Sequence, residues 1–348
     1  MIRRKTRKIR LGRVFIGGDS DISIQSMCNT RTEDIENTIP QIKELVSSGC
    51  DIVRVAANNE EAALSIKRIK AELPDVPLVA DIHFDYRLAI LSIKNGADGI
   101  RINPGNIGSN EKVKEIIKAA SDNNSVIRIG VNSGSLPKEL QSGYKIVDAM
   151  LYTAGKYIDL FSANNFGNIK LSLKSSSVME TIEVYERFSE IYDYPLHLGI
   201  TEAGTLLSGT VKSVTGLGIL LYQGIGDTIR VSLTAEPIYE VDVAKGMLKA
   251  LGLRRGGVDI VSCPTCGRAN GDVIGVASGI QKVVRDIKKD IKVAIMGCEV
   301  NGPGEARMAD IGIAFGKYDV LLFKKGEIVK KIAKDEAVDV LISEIEKI

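Results

Sequence analysis

The chain has 348 residues, with 46 Lys and Arg against 44 Asp and Glu and a formal net charge of +2. That balance argues against a general nucleic-acid binder, and no apolar run reaches the roughly 20 residues that cross a bilayer. With 44% hydrophobic and 26% charged residues and no low-complexity run, it reads as a soluble globular chain, long enough for one large domain and a smaller one.

The N-terminal stretch MIRRKTRKIRLGR is basic but has no apolar signal core, so a cytoplasmic protein is expected and the arm reads as a solvated strand. In that compartment thiols stay reduced, and an odd total of 5 cysteines favours metal over disulfides. Val14, Ile16, Ile22 and Ile24 surround Gly17, Gly18 and Asp19, which predicts a hairpin leading into a strand. Short β-branched runs then alternate with helical patterns. The strand candidates are Ile22 to Ser26, Asp51 to Ala56, Pro77 to Asp81, Gly99 to Asn103, Val126 to Val131, Ile169 to Lys174, Pro195 to Thr201 and Thr228 to Ser232. Segments between them, such as ENTIPQIKELVSSG, place apolar residues at helical spacing and end in glycine. Eight βα units over about 250 residues predict a (β/α)8 TIM-type barrel across residues 1–253, with a doubly wound open sheet as the alternative.

Such barrels carry their sites at the C-terminal ends of the strands. Those ends hold Asn29, Arg54, Asp81 with His83, Arg101 with Asn103, Arg128 with Asn132, Lys174, Glu202, and Arg230 with Ser232. Four of them, Arg54, Arg101, Arg128 and Lys174, would bring four positive charges into one mouth of a nearly neutral protein. Arginine forks match phosphate oxygens bidentately, so the excess points to a phosphorylated, multiply charged substrate. His83 sits in ADIHFDY beside Asp81 and Asp85, a setting for a proton relay, a metal ligand or an ordinary structural histidine. His197 alternates with apolar residues in PLHLGI and reads as a packed barrel histidine. Glu202 follows a strand and can face the mouth as an acid or base, or simply favour a helix N-terminus. No Rossmann or P-loop signature is present.

A helical pattern from about Val241 to Leu251 stops at Gly252, and a glycine-rich linker leads into a small α/β domain over residues 254–348. There DIVSC and KVAIMGC read as strands that deliver cysteines to turns, and Lys325-Gly326 reads as a hairpin turn. Cys263 and Cys266 in CPTCGR and Cys298 in IMGCEVNGPGEAR supply three sulfurs to one centre, an iron-sulfur cluster or a tetrahedral zinc. Glu305 is the oxygen candidate for the fourth position.

The motifs QSMCNT, VADIHFDYR, GIRINPGNIG, IRIGVNSGSL, KLSLKSS, LHLGITEAG, GIGDTIRVSL, CPTCGR and GCEVNGPGEA occur in this order across nearly the whole chain. Together they closely resemble the bacterial 4-hydroxy-3-methylbut-2-enyl diphosphate synthases of the non-mevalonate isoprenoid pathway, in their short two-domain form. Cys28 stands where threonine is usual, and SDISIQSM lacks a proline often found before this strand; Cys28, near the mouth, is expected to be open to oxidation. The resemblance implies a [4Fe-4S] cluster held by Cys263, Cys266, Cys298 and Glu305, in a domain like the cluster domains of sulfite and nitrite reductases. It implies 2-C-methyl-D-erythritol 2,4-cyclodiphosphate as substrate, gripped by Arg54, Arg101, Arg128 and Lys174, with Asp81, His83, Asn132, Glu202 and Ser232 as further pocket residues. The reaction it implies is a two-electron reductive ring opening with loss of water, fed by ferredoxin or flavodoxin. Glu305 is then expected to be a replaceable ligand, since a carboxylate binds iron less softly than thiolate, and Glu202 to give the proton that lets hydroxyl leave.

From Gly252 to Asp259 the linker stretches at most about 25 Å, and the last barrel helix ends at the face away from the mouth. The cluster is therefore expected to cap a partner's barrel in a head-to-tail homodimer, as the family resemblance also implies. Two other readings stay open: an iron-sulfur electron carrier, and a zinc-stabilised barrel enzyme on another phosphorylated substrate, similar to pterin-binding barrels.

Overall fold

A computed structural model describes residues 2–136, 140, 143–284, 287–298 and 306–348. The chain divides after Arg254 into two compact units.

In the first unit, eight parallel strands alternate with helices: β3 (Ser23–Met27), β4 (Ile52–Ala56), β5 (Leu78–Asp81), β6 (Gly99–Ile102), β7 (Val126–Asn132), β8 (Ile169–Lys174), β9 (His197–Leu198) and β10 (Thr228–Ile229). Each strand pairs with the next in sequence from β3 to β8, and β10 pairs with both β9 and β3. A bridge between Leu171 and Leu196 joins β8 to the start of β9. The ring is therefore closed, which excludes the open doubly wound sheet and gives the expected (β/α)8 barrel.

The helices form where capping and apolar spacing agree. In the helix Glu60–Glu72 the Asn59 side chain accepts from Ala62 N at 2.7 Å, and Ala62, Ala63, Ile66 and Ile69 are buried on one face. Gly49 and Gly96 end their helices with φ of 102° and 98°, a left-handed turn that side chains resist. The outward faces of the strands pack on the helices as one core that includes Val53, Val55, Leu78, Ala80, Ile100, Ile127 and Ile129. The alternate residues point into the barrel.

At the foot of the barrel the structure departs from the expected hairpin. The turn lies at Gly12, between β1 (Ile9–Leu11) and β2 (Val14–Ile16), and β3 pairs with barrel strands instead of with β2. Lys-Ile-Arg-Leu alternates, so Ile9 and Leu11 must find cover; together with Ile16 they pack on Ile52, Val79 and Val126 and close the foot. Nor is the arm before it a solvated strand. Arg3 pairs with Asp227 at 3.0 Å, and Arg4 donates to the carbonyls of Tyr192 and Tyr194.

The second unit holds one five-stranded sheet in the order β11 (Val258–Ser262), β12 (Ile291–Met296), β13 (Ile311–Phe315), β14 (Val320–Lys324), β15 (Glu327–Ile332). The first three strands are parallel and the last two antiparallel. Helices Val273–Val283 and Ala337–Glu346 cover one face. The turn at Lys325 and Gly326 lies between β14 and β15 as expected, both residues with positive φ.

Leu11 is 1% exposed, so Leu11→Ala should cost about 3 kcal/mol of unfolding free energy. Urea denaturation measures it, and a loss below about 1 kcal/mol would mean that the hairpin is not part of the barrel core.

Candidate functional site

Inside an ordinary barrel of this class, branched aliphatic side chains fill the middle. Here the inward positions of the middle and upper strands carry Gln25, Met27, Arg54, Asp81, Arg101, Arg128, Lys170, Ser172, Lys174, His197, Thr228 and Arg230. The four cations expected at the mouth do converge. Arg54, Arg128 and Lys174 are buried, and each is held in the field of other cations: Arg54 near Arg230 and Arg101, Arg128 near Arg54 and Arg101, Lys174 near all of these. Burial first, and then this mutual repulsion, lowers the proton affinity of Arg128 and Lys174 well below the ordinary range. For Arg54, burial is again the leading cause and Asp81 opposes it; the group is brought down to about 10 and stays charged at neutral pH.

Two glycines make room for these side chains. A Cβ on Gly130 would stand 2.8 Å from Arg101 Nε, and one on Gly199 would collide with Lys174 Nζ. Two carboxylates oppose the cations. Glu240 pairs with Arg230 at 3.3 Å, and Asp81 lies 3.5 Å from Arg101 and 3.3 Å from His83 Nε2. Burial alone would raise the Asp81 pKa, but Arg54, the hydrogen bond from His83, Arg101 and Arg128 together hold it below the usual carboxylate range.

His83 is exposed, whereas His197 is buried with its Nδ1 2.6 Å from Thr228 Oγ1. Burial, then Arg128, Lys174 and Lys170, keeps His197 neutral, as a packed histidine should be. Asn103 is tied down, donating to Ser135 at 2.9 Å and capping Gly105. Asn132 at the end of β7 and Ser232 just past β10 are half-buried. Glu202 is exposed after β9 with φ of 52°, a left-handed conformation costly for a residue other than glycine. Cys28 faces away from solvent; burial pushes its thiol up to about 12, which makes it a poor nucleophile and corrects the expectation that it is readily oxidised. Met27 and Lys170 were not among the expected site residues. The two-residue spacing Gln25-Met27 and Lys170-Ser172-Lys174, which puts each set on one strand face, is the signal that finds them.

In the second unit Cys263 directly follows β11, and Cys298 follows the neighbouring β12, whose end pairs with it through Ser262 and Ile295. Gly297 N donates to Cys263 Sγ at 3.1 Å, and a Cβ there would press on Val273 and Ala269. Cys266 is exposed, and hydrogen bonds from Arg268 lower its thiol pKa. A backbone donor on one sulfur and a thiolate-favouring arginine beside another fit a cluster ligand set. Among the described residues no three His, Cys, Asp or Glu side chains gather as around a single ion. Ligands of a cluster each bind a different metal atom and stand farther apart. Glu305 lies outside the described residues.

A closed βα barrel with a cationic mouth, followed by a cysteine-bearing α/β unit, is the class that fold and site define. The sequence profile of the GcpE TIM-barrel domain matches residues 6–245, and that of the GcpE protein C-terminal domain matches residues 259–347. The chain belongs to the GcpE family. It is 54% identical over 348 residues to the 4-hydroxy-3-methylbut-2-en-1-yl diphosphate synthase (flavodoxin) of Caldanaerobacter subterraneus subsp. tengcongensis, covering 99% of this chain and 98% of that one. It is 53% identical over 350 residues to the protein of the same name from Clostridium perfringens, covering 100% of both. Among solved structures, dihydropteroate synthases from Stenotrophomonas maltophilia (TM-score 0.54, 16% identity, 71% of this chain and 98% of that chain) and Yersinia pestis (TM-score 0.53, 14% identity, 71% and 99%) share the barrel fold.

Asp81 stabilises the fold only while ionised. Because its folded pKa is depressed, that contribution is complete above the unfolded value near 4 and drains away as pH falls toward the folded value. Asp81→Asn should therefore cost about 3 kcal/mol at pH 7, with a smaller penalty at pH 3. Urea denaturation at the two pH values decides it; an equal penalty at both would contradict the assignment.

Proposed function

We propose that this chain carries out the reaction named for the GcpE-family synthases. It would open the ring of 2-C-methyl-D-erythritol 2,4-cyclodiphosphate reductively to (E)-4-hydroxy-3-methylbut-2-enyl diphosphate. Two electrons and two protons enter and one water leaves. Flavodoxin, named for the relatives, is the electron donor, with ferredoxin as the chemical equivalent. The observation that carries the reading is the mouth itself, where Arg54, Arg101, Arg128 and Lys174 crowd together against two carboxylates.

Each group has a task that follows from its placement. The arginine forks and Lys174 bind the diphosphate and offset its charge. Asp81 keeps Arg101 and His83 in place, and Asn132 and Ser232 offer neutral hydrogen bonds to the carbon portion's hydroxyls. Glu202 is exposed at the rim and holds the proton delivered to the departing hydroxyl. Cys263, Cys266, Cys298 and Glu305 would hold a [4Fe-4S] cluster, which supplies single electrons when bound. The hydrogen bond from Gly297 N to Cys263 suits a metal-bound thiolate, and with a cluster in place the second unit is a cluster domain of the sulfite and nitrite reductase kind.

A head-to-tail homodimer belongs to the same proposal. Its support lies in the first unit: Arg254 pairs with Asp51 at 2.9 Å just before β4, so the barrel ends at its foot, opposite the mouth. Each active centre then combines one protomer's barrel with its partner's cysteines.

Anaerobically purified protein should contain iron and sulfide and should convert the cyclodiphosphate with a strong reductant; zinc in place of iron would sink the cluster assignment. Glu202→Gln should lower kcat at least about 100-fold with iron content unchanged, and normal turnover would remove Glu202 from that role. Mixing inactive Arg54→Leu with inactive Cys298→Ser should regain part of the activity through exchanged dimers. Failure of that rescue in subunits proven to exchange would exclude the shared site.

A further inference from the structure

Arg54 differs from its neighbours in what it is bonded to. Arg101 has Asp81 and Arg230 has Glu240, whereas among the described residues no carboxylate lies within ion-pair distance of Arg54. Register pairs Met27 on β3 with Arg54 on β4. Both Nε and Nη2 of the guanidinium point at the Met27 sulfur, 3.0 and 2.9 Å away. A thioether is a weak acceptor, so a buried fork is aimed and occupied, yet is surrendered at little cost to any anionic oxygen. Met27 is half-buried where the barrel opens, within reach of a small oxidant, while the adjacent Cys28 is buried with its thiol protonated.

We propose that Met27 is a positioning residue and an oxidation site: as thioether it reserves Arg54 for the diphosphate, and as sulfoxide it holds the Arg54 fork and closes the mouth to anions. In the oxidation a hydroperoxide gives one oxygen atom to sulfur as its O–O bond breaks. Sulfur loses two electrons, and the other peroxide oxygen leaves as water when the oxidant is hydrogen peroxide, or as the alcohol when it is an organic hydroperoxide. The new S–O dipole then stands beside two donors already aimed at the sulfur, and a strong acceptor replaces a weak one. The inference rests on the reading that Arg54 grips the diphosphate.

Calorimetry of inorganic diphosphate binding to the full-length chain tests it, before and after hydrogen peroxide followed by dithiothreitol, which recovers sulfenic cysteines but not the sulfoxide. Treated protein should bind at least about tenfold more weakly, and methionine sulfoxide reductase should restore the affinity. Met27→Leu should bind equally well with and without peroxide. Met27→Gln, which places an amide oxygen near the fork, should weaken binding without treatment and leave the thermal midpoint unchanged. Unchanged affinity of the treated wild-type protein, or an equal loss in treated Met27→Leu, would overturn the inference. If Arg54→Leu binds diphosphate as the wild type does, the reading of the mouth fails, and this inference fails with it.

Discussion

The repulsion among buried cations at one end of the barrel is the constraint on which the other features depend. Arg54, Arg101, Arg128, Lys174 and Arg230 share a low-dielectric space with, among the described residues, Asp81 and Glu240 in opposition. Left alone, such a group favours swelling, deprotonation or unfolding. The barrel resists because each cation is anchored on, or for Arg230 directly after, a different strand of a closed parallel sheet, with no edge that can open. A multiply charged anion relieves the repulsion, so binding energy is stored in the architecture before the ligand arrives. The glycines at 130 and 199 belong to the same arrangement, since a methyl group at either place would push Arg101 or Lys174 aside.

The eight strands were legible because Val, Ile and Leu alternate with helical stretches that end in glycine; the bounds of the first six shift by at most one residue in the structure, while the last two end three residues earlier than expected. β9 and β10 are the shortest of the eight, two residues each. The foot was harder to read. Ile9 and Leu11 lie inside a run of arginines and lysines, and nothing local says that Ile52, Val79 and Val126 on distant strands await them. Charge composition suggested solvent, and long-range apolar cover decided otherwise.

At the mouth, strand-end position identified the cations but not their partners. Arg230 and Arg54 look alike in sequence. Only the fold shows that one is spent on Glu240 and the other rests on a methionine sulfur. Cys28, next in sequence to that methionine, points the opposite way because strand residues alternate, and so one position is half-exposed while its neighbour is buried. In the second unit, adjacent parallel strands explain how cysteines so far apart in sequence come together. Cys263 and Cys298 leave neighbouring strand ends, and Gly297, with no Cβ to crowd Val273 and Ala269, brings its backbone N–H to the Cys263 sulfur.

The polar interior also settles where the stability of the barrel must come from. Among the described residues, Lys170 Nζ, His197 Nε2, both amide atoms of Gln25, and Nε and Nη2 of Arg128 are buried without a hydrogen-bond partner. Each is a net cost, reduced for Lys170 by Asp227 and for Arg128 by Asp81. The compensation lies outside the ring, in the continuous apolar layer between strands and helices, and below it, in the hairpin that seals the foot. Separating the two functions has a physical consequence. The inner face near the mouth is tuned for an anion while the outer layer and the foot carry the apolar packing, and an anion that binds only the folded mouth returns part of the cost as stability.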